Sequence, residues 1–116
     1  MALCLPTLPC VVSILLPFHY SDTWADPGKQ VIPVAWKSLK HKQLGEQVFA
    51  YTRDTIAAFR DAGVMPDMVQ TGNEITNGML WPDGKLPDNW DHFADLLRAA
   101  RATRRLPTGW ASRNPP

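Results

Sequence analysis

Two short apolar runs in this chain are typical of buried strands. Residues 11–18 form a continuous run rich in β-branched side chains, as expected of a strand buried on both faces in a parallel sheet. Residues 67–72 predict a second short strand, and Asn73 and Glu74 follow at its carboxyl end. Turn-forming and polar residues occupy positions 19–30 and 76–86, which predicts a long loop after each strand.

Two amphipathic stretches predict helices. Residues 43–62 repeat apolar side chains every three or four positions, and Gly63 is the expected C-cap residue. The predicted apolar stripe consists of Leu44, Val48, Tyr51, Thr55 or Ile56, and Phe59. A second helix is expected to start near Pro87, with Asp88 or Asn89 as its N-cap. Its predicted stripe consists of Trp90, Phe93, Leu97 and Ala100.

The order strand, loop, helix, strand, loop, helix makes two βα units of an α/β protein. Two parallel strands alone leave open edges and half of a core uncovered. The pattern therefore predicts a slice of a larger barrel or sheet. In a barrel of this class, functional groups gather at the carboxyl ends of the strands, where both polar loops of this chain begin.

Composition and charge narrow the class of partner. The chain has 45% hydrophobic residues, 20% charged residues and a formal net charge of +1. Because nucleic-acid-binding domains carry a basic patch, this balance argues against a nucleic acid partner. The one basic cluster is expected to form a solvated helix face, and it consists of Arg98, Arg101, Arg104 and Arg105.

The N-terminal 18 residues are apolar but contain no Lys or Arg. A secretory signal peptide needs a basic first region, so a buried strand is favoured over a leader. The run is also shorter than the ~20 residues of a membrane-spanning helix, so no membrane partner is expected.

Cys4 and Cys10 are favoured as two free thiols over a short-loop disulfide. No histidine cluster completes a zinc set with them, and neither metal nor cofactor is expected.

Only two glutamates occur in the chain, and they differ in their setting. Glu46 lies near the start of the first predicted helix, where a carboxylate favours the helix dipole and solvent. Glu74 follows a predicted strand, so a catalytic role and a surface or capping role are both open. His19 is favoured as a structural group over an acid/base, since a lone histidine after an apolar strand is more often structural. Trp24 and Trp81 lie in the loops above the strand ends, whereas Trp36 and Trp90 flank helices and are expected in the core.

Two long segments resemble glycoside hydrolase family 53, the endo-β-1,4-galactanases. Residues 18–30 read FHYSDTWADPGKQ and resemble the third-strand segment of that family. Residues 66–85 read PDMVQTGNEITNGMLWPDGK and resemble its fourth-strand segment. The resemblance implies a partial (β/α)8 TIM barrel of about two βα units. It assigns residues 11–105 to a partial catalytic domain and leaves residues 1–10 and 106–116 as non-matching tails.

The resemblance also implies roles for individual residues. Glu74 corresponds to the catalytic acid/base of a retaining glycosidase, and Asn73 to the neighbour that hydrogen-bonds the sugar 2-hydroxyl. His19 is implied at the floor of the pocket. A substrate-contacting loop is implied at Asp26, Pro27, Gly28 and Lys29. Trp24 and Trp81 are inferred to be stacking platforms for sugar rings, because a flat indole ring packs on the apolar face of a pyranose.

The departures from the family pattern limit the expected activity. The nucleophile of the family is a second glutamate after strand seven, and no residue here matches it. Pro17 stands where the family usually has Asp, and the late loop that holds calcium in some members is absent. The resulting prediction is a retaining endo-β-1,4-galactanase acting on galactan or arabinogalactan, with a mechanism incomplete in this chain. The alternatives are a non-catalytic galactan-binding fragment and a piece that self-associates or pairs with a missing half to rebuild a barrel. The family implies an extracellular location.

Overall fold

The computed structural model describes residues 13–102, so the expected tails, both cysteines, Arg104 and Arg105 lie outside the described residues. Strand β1 spans Leu15–Pro17, helix α1 spans His41–Asp61, and strand β2 spans Met68–Gln70. A small hairpin follows, made of β3 (Gly78–Met79) and β4 (Gly84–Lys85), and helix α2 spans Trp90–Arg101. Short 3₁₀ turns occupy Val34–Trp36 and Ile75–Asn77. The predicted order of two βα units is confirmed.

Strands β1 and β2 pair in parallel, with Leu16 opposite Val69. Both are shorter than predicted, and the expectation that the first strand is buried on both faces is wrong. Leu16 and Val69 pack against the core, but Leu15 is 52% exposed and its partner Met68 is 66% exposed. A two-stranded sheet whose helices cover one face has nothing on the other face among the described residues, so those side chains meet solvent.

Helix α1 has the predicted amphipathic character, although one position of its stripe was wrong. Leu44, Val48 and Ile56 are buried as expected, whereas Tyr51 is 43% exposed and Thr52 takes the buried place. Thr52 donates its hydroxyl hydrogen to the carbonyl of Val48 at 2.7 Å. The phenol of Tyr20 lies 2.7 Å from the Thr52 hydroxyl oxygen and donates to it, so the polar pair is satisfied. Burial raises the pKa of Tyr20 to about 12.

Gly63 ends α1 as the sequence predicts. Its φ of 77° lies in the left-handed region, which glycine adopts without a Cβ penalty. The Gly63 N–H donates to the Arg60 carbonyl at 3.0 Å, and the Val64 N–H donates to the Phe59 carbonyl at 2.9 Å. This pair of bonds is a Schellman motif, which satisfies the last carbonyls of the helix.

Helix α2 packs against α1 and against β4. Asn89 precedes it as predicted, but its side chain does not cap the helix. Its amide donates instead to the Pro82 carbonyl at 2.9 Å. The buried residues of the helix are Phe93, Leu96 and Ala100. Trp90, expected in the core, is 60% exposed, because the packed face is centred on Leu96, which is fully buried.

Polar contacts join the start of α1 to the turn between β3 and β4 and to α2. Nδ1 of His41 lies 2.7 Å from a carboxylate oxygen of Asp83, and Nε2 lies 3.0 Å from one of Asp95. Burial lowers the pKa of His41, but the bonds to Asp95 and Asp83 outweigh it and raise that pKa above its usual value. The hydrogen bond from His41 also lowers the pKa of Asp95.

Between residues 13 and 102, no helix is long and apolar enough to cross a membrane.

Candidate active site

The loops that follow β1 and β2 meet at one edge of the molecule. Because the two strands are parallel and adjacent, their carboxyl ends lie side by side. The Phe18 N–H donates to the Gln70 carbonyl at 2.9 Å and extends the pairing to the point where both loops begin. The two clusters of candidate residues are thereby brought together, as the sequence predicts.

Glu74 lies four residues beyond the end of β2 and has an exposed side chain. The expectation of a buried strand end is therefore wrong for this residue. Its backbone is left-handed, with φ 49° and ψ 48°, a conformation that costs a residue with a Cβ roughly 1–2 kcal/mol. Its carboxylate accepts no hydrogen bond from residues 13–102, so its oxygens are open to a ligand.

Gln30 connects the two loops and was not predicted as a site residue. Its side chain is nearly completely buried, at 3% exposure. Its amide Nε2 lies 2.7 Å from the Asn73 carbonyl oxygen, 3.3 Å from that of Glu74 and 3.0 Å from that of Asp26. The amide of this one side chain therefore fixes the backbone that carries Glu74. Its only signal in the sequence is its place at the end of the first family-like segment.

Asn73 makes a second connection between the loops. Its Nδ2 donates to the Ala25 carbonyl at 2.8 Å, and its Oδ1 accepts from Nε2 of Gln70 at 3.2 Å. One amide hydrogen and one lone pair of Oδ1 remain for a further partner. A role at a sugar hydroxyl is compatible with these contacts and stays a prediction.

His19 and Trp24 lie together in the loop after β1. The Ala25 N–H donates to Nδ1 of His19 at 3.1 Å, which leaves Nε2 to carry the proton of the neutral ring. The ring centroids of His19 and Trp24 are 4.6 Å apart, and Trp24 is 71% exposed. Beside His19 opens a cavity of about 220 Å³, lined also by Asp22, Trp36 and Tyr51.

Residues 26–29 form a tight turn closed by two backbone hydrogen bonds between Asp26 and Lys29, of 2.9 and 3.1 Å. The Asp26 carboxylate accepts the Gly28 N–H at 2.7 Å, which holds the turn in one shape. Asn77, from the loop after β2, donates its amide to the Pro27 carbonyl at 3.0 Å. The turn is therefore anchored to both loops, with Pro27, Gly28 and Lys29 facing solvent.

Trp81 is half-buried in the hairpin, and its setting differs from that of Trp24. Its backbone pairs with Val31 in a parallel bridge, and its indole N–H donates to the Asn77 carbonyl at 2.9 Å. The Lys85 ammonium lies 4.7 Å from the ring centroid, a cation–π distance. One ring face is therefore already occupied, and stacking against a sugar has only the other face to use.

Comparison with known proteins relates this chain to one family of glycosyl hydrolases. The family profile described as glycosyl hydrolase family 53 matches residues 11–112. The chain is 46% identical over 89 residues to the arabinogalactan endo-beta-1,4-galactanase of Humicola insolens. This alignment covers 77% of this chain and 26% of that protein.

Solved structures agree with the sequence match. The Ignisphaera aggregans GH53 catalytic domain superposes with a TM-score of 0.76 at 47% identity, covering 78% of this chain and 25% of that one. A second structure, from a study of two fungal beta-1,4-galactanases, gives a TM-score of 0.75 at 40% identity, covering 79% and 27%. The chain thus spans about a quarter of the length of these relatives.

Proposed function

Because this chain belongs to glycosyl hydrolase family 53, we propose that it supplies the acid/base side of an active site that hydrolyses β-1,4-galactosidic linkages. The observation that carries the proposal is the setting of Glu74. Its open carboxylate stands in a loop that the buried amide of Gln30 holds through the carbonyls of Asn73 and Glu74. A fixed, ligand-accessible carboxyl group at a parallel-strand end is what proton transfer to a bound sugar requires.

In the proposed reaction Glu74 acts twice. It first donates its proton to the glycosidic oxygen as that bond breaks, and then removes a proton from the water that releases the sugar. A retaining glycosidase does this with a second carboxyl group about 5–5.5 Å away, which forms the covalent intermediate. We propose that this nucleophile belongs to the part of the enzyme that corresponds to the other three quarters of the relatives.

The uncovered sheet face supports a partial (β/α)8 barrel over residues 11–105. Leu15 and Met68 pair across the sheet and are exposed on the face away from the helices. In a closed barrel, side chains on that face fill the interior in layers. The remaining strands would cover both residues and pair with the open edges of β1 and β2.

Galactan contacts are proposed for the exposed groups around Glu74. Among residues 13–102, Trp24 is the most exposed aromatic residue, and His19 beside it has a ring N–H available for a sugar hydroxyl. The anchored turn formed by residues 26–29 lines the same edge. Trp81 is less suited to stacking on a sugar ring, because Lys85 lies over one face of its indole. The substrate proposed is galactan or arabinogalactan, with an extracellular location as the family implies.

A graft tests the proposal in a complete barrel. The aligned 89-residue segment of the Humicola insolens relative is replaced by the corresponding part of this chain, giving what we call the grafted enzyme. We expect it to release reducing sugar from β-1,4-galactan. Glu74→Gln should lower that rate about 10²–10⁴-fold, the usual contribution of a general acid/base.

Glu46→Gln is the matched control, since Glu46 is the only other glutamate of the chain and lies exposed on α1. It should leave the rate unchanged. A folded grafted enzyme that binds galactan without cleaving it would instead favour the non-catalytic binding fragment. Equal losses from Glu74→Gln and Glu46→Gln would exclude Glu74 as the acid/base.

A further inference from the structure

A cluster of imidazole and carboxylate groups lies outside the candidate active site. It forms where α1, the turn between β3 and β4, and α2 converge. Nδ1 of His41 is 2.7 Å from Oδ2 of Asp83, and Nδ1 of His92 is 3.3 Å from Oδ1 of the same carboxylate. The two imidazole rings stack with centroids 3.7 Å apart and an interplanar angle of 12°. One carboxylate thus faces two stacked rings through the same kind of nitrogen.

The side chains in this cluster hold one another in place. The backbone carbonyl of Asp83 also lies 3.2 Å from Nδ1 of His92, and Asp95 holds the far nitrogen of His41 at 3.0 Å. Two protonated rings in such a face-to-face contact would repel each other. A dication bound to both Nδ1 atoms would remove that conflict and match the negative charge of Asp83.

We propose that His41, His92 and Asp83 form a site for a zinc-type dication. Their donor atoms all lie within 4.8 Å of one another. Tetrahedral zinc with bonds of about 2.0–2.1 Å places its donors about 3.3–3.4 Å apart. The 2.7 and 3.3 Å contacts already approach that value. Since the lone pair of Nδ1 lies in the ring plane, binding requires the two imidazoles to tilt out of their stacked contact and His92 to give up its bond to the Asp83 carbonyl. Imidazole ligands favour zinc and its neighbours over calcium or magnesium.

Asp95 supports the arrangement from behind His41, without a place among the three proposed metal ligands. It accepts a hydrogen bond from Nε2–H of His41, which fixes the ring orientation and turns Nδ1 toward Asp83. Metal-binding histidines usually have a carboxylate or carbonyl in this role. A fourth metal position would remain for water. Because His41 is the first residue of α1 and His92 lies in the first turn of α2, a bound metal would connect the two helices.

Metal binding to the 116-residue chain tests the proposal. Cys4 and Cys10 also bind zinc when reduced, so both are replaced by serine in every sample. Calorimetric titration with zinc should give saturable binding of one ion per chain. His92→Ala and Asp83→Asn should each weaken it at least about 100-fold. Asp95→Asn should weaken it about 10–100-fold, the usual effect of losing the carboxylate that hydrogen-bonds a metal-binding histidine. Asp91→Asn, an exposed neighbour of His92, is the matched control and should bind as the parent does.

Nuclear magnetic resonance separates this site from non-specific binding or misfolded variants. Zinc should shift the ring protons of His41 and His92 and leave those of His19, the third histidine, unchanged. Circular dichroism of each variant checks that the helices are retained. Absence of saturable zinc binding to the parent chain would overturn the proposal. Equal shifts at all three histidines, or unchanged affinity in folded His92→Ala, would do the same. None of these readouts depends on galactan hydrolysis.

Discussion

Replacing Gln30 by methionine removes the amide that joins the two loops while keeping the length of the side chain. The substitution removes the common donor of three carbonyl oxygens, which belong to Asp26, Asn73 and Glu74. Because Gln30 is only 3% exposed, water has little access to take the place of the amide. The left-handed backbone of Glu74 then loses the contact that holds it.

The magnitude follows from the number of bonds and the burial. The amide has two hydrogens, so it makes at most two strong bonds, each contributing about 0.5–1.5 kcal/mol. A buried carbonyl left without a donor costs about 1–3 kcal/mol more. We expect the free energy of unfolding to fall by about 2–4 kcal/mol. Displacement of Glu74 by about 1 Å would lower the rate of hydrolysis up to ~10²-fold.

The assay measures both effects in the grafted enzyme. Urea unfolding followed by circular dichroism gives the stability, and galactan hydrolysis gives kcat and KM. A positioning role predicts a lower kcat with little change in KM. Gln47→Met, at a half-buried glutamine of α1, is the stability control and should stay within about 0.5 kcal/mol of the parent.

Two results would refute this reasoning. If Gln30→Met unfolds at the parent's urea concentration, the three contacts contribute nothing measurable to the fold. If stability falls but kcat does not, Glu74 holds its position without the amide, and Gln30 is a structural residue only.

Other predictions concern the packing beneath the site, each measured by urea unfolding of the grafted enzyme. Thr52→Val should destabilise by about 1–3 kcal/mol, because the buried Tyr20 phenol loses its acceptor, and unchanged stability would contradict the assigned bond. Since burial raises the pKa of Tyr20 from 10.0 to about 12, the folded state keeps this proton longer than the unfolded state. Stability should therefore fall by about 2 kcal/mol as the pH rises from 10 to 12, and a parent curve parallel to that of Tyr20→Phe would contradict the assignment. Gly78→Ala should destabilise by about 2 kcal/mol or more, because φ is 86° and a Cβ would overlap the Gly84 carbonyl oxygen. Gly45→Ala should stabilise α1 by about 0.5–1 kcal/mol, since the nearest atom to the added Cβ is 4.0 Å away, and a loss there would show that α1 tolerates no added methyl group.

Local rules predicted the elements of this chain well where one stretch of sequence decides the outcome. The periodicity of α1 and the cap at Gly63 depend on neighbouring residues, and both are found. Thr52 was missed because a hydroxyl group is buried only when partners exist, and Tyr20 lies 32 residues away. The exposed faces of Leu15 and Met68 have the same origin, since a strand pattern cannot report which layers cover it.

The candidate site was predicted in outline, through the resemblance more than through the residues alone. Glu74 and Asn73 were found because they follow a strand and fit a family segment. Gln30 was missed because its role exists only when two loops meet, 43 and 44 residues apart along the chain. The cluster around Asp83 was missed for the same reason, since 42 residues separate it from His41.

The central claim is that Glu74 is the general acid, and the dependence on the leaving group tests it most directly. The aryl leaving group of an activated aryl β-galactobioside departs without protonation, whereas the sugar leaving group of galactan needs a proton on its glycosidic oxygen. In the grafted enzyme, Glu74→Gln should lower the rate of glycosidic cleavage about 10²–10⁴-fold on galactan. Release of the aryl group in the first turnover should fall far less. An equal loss on both substrates would contradict the acid/base assignment of Glu74.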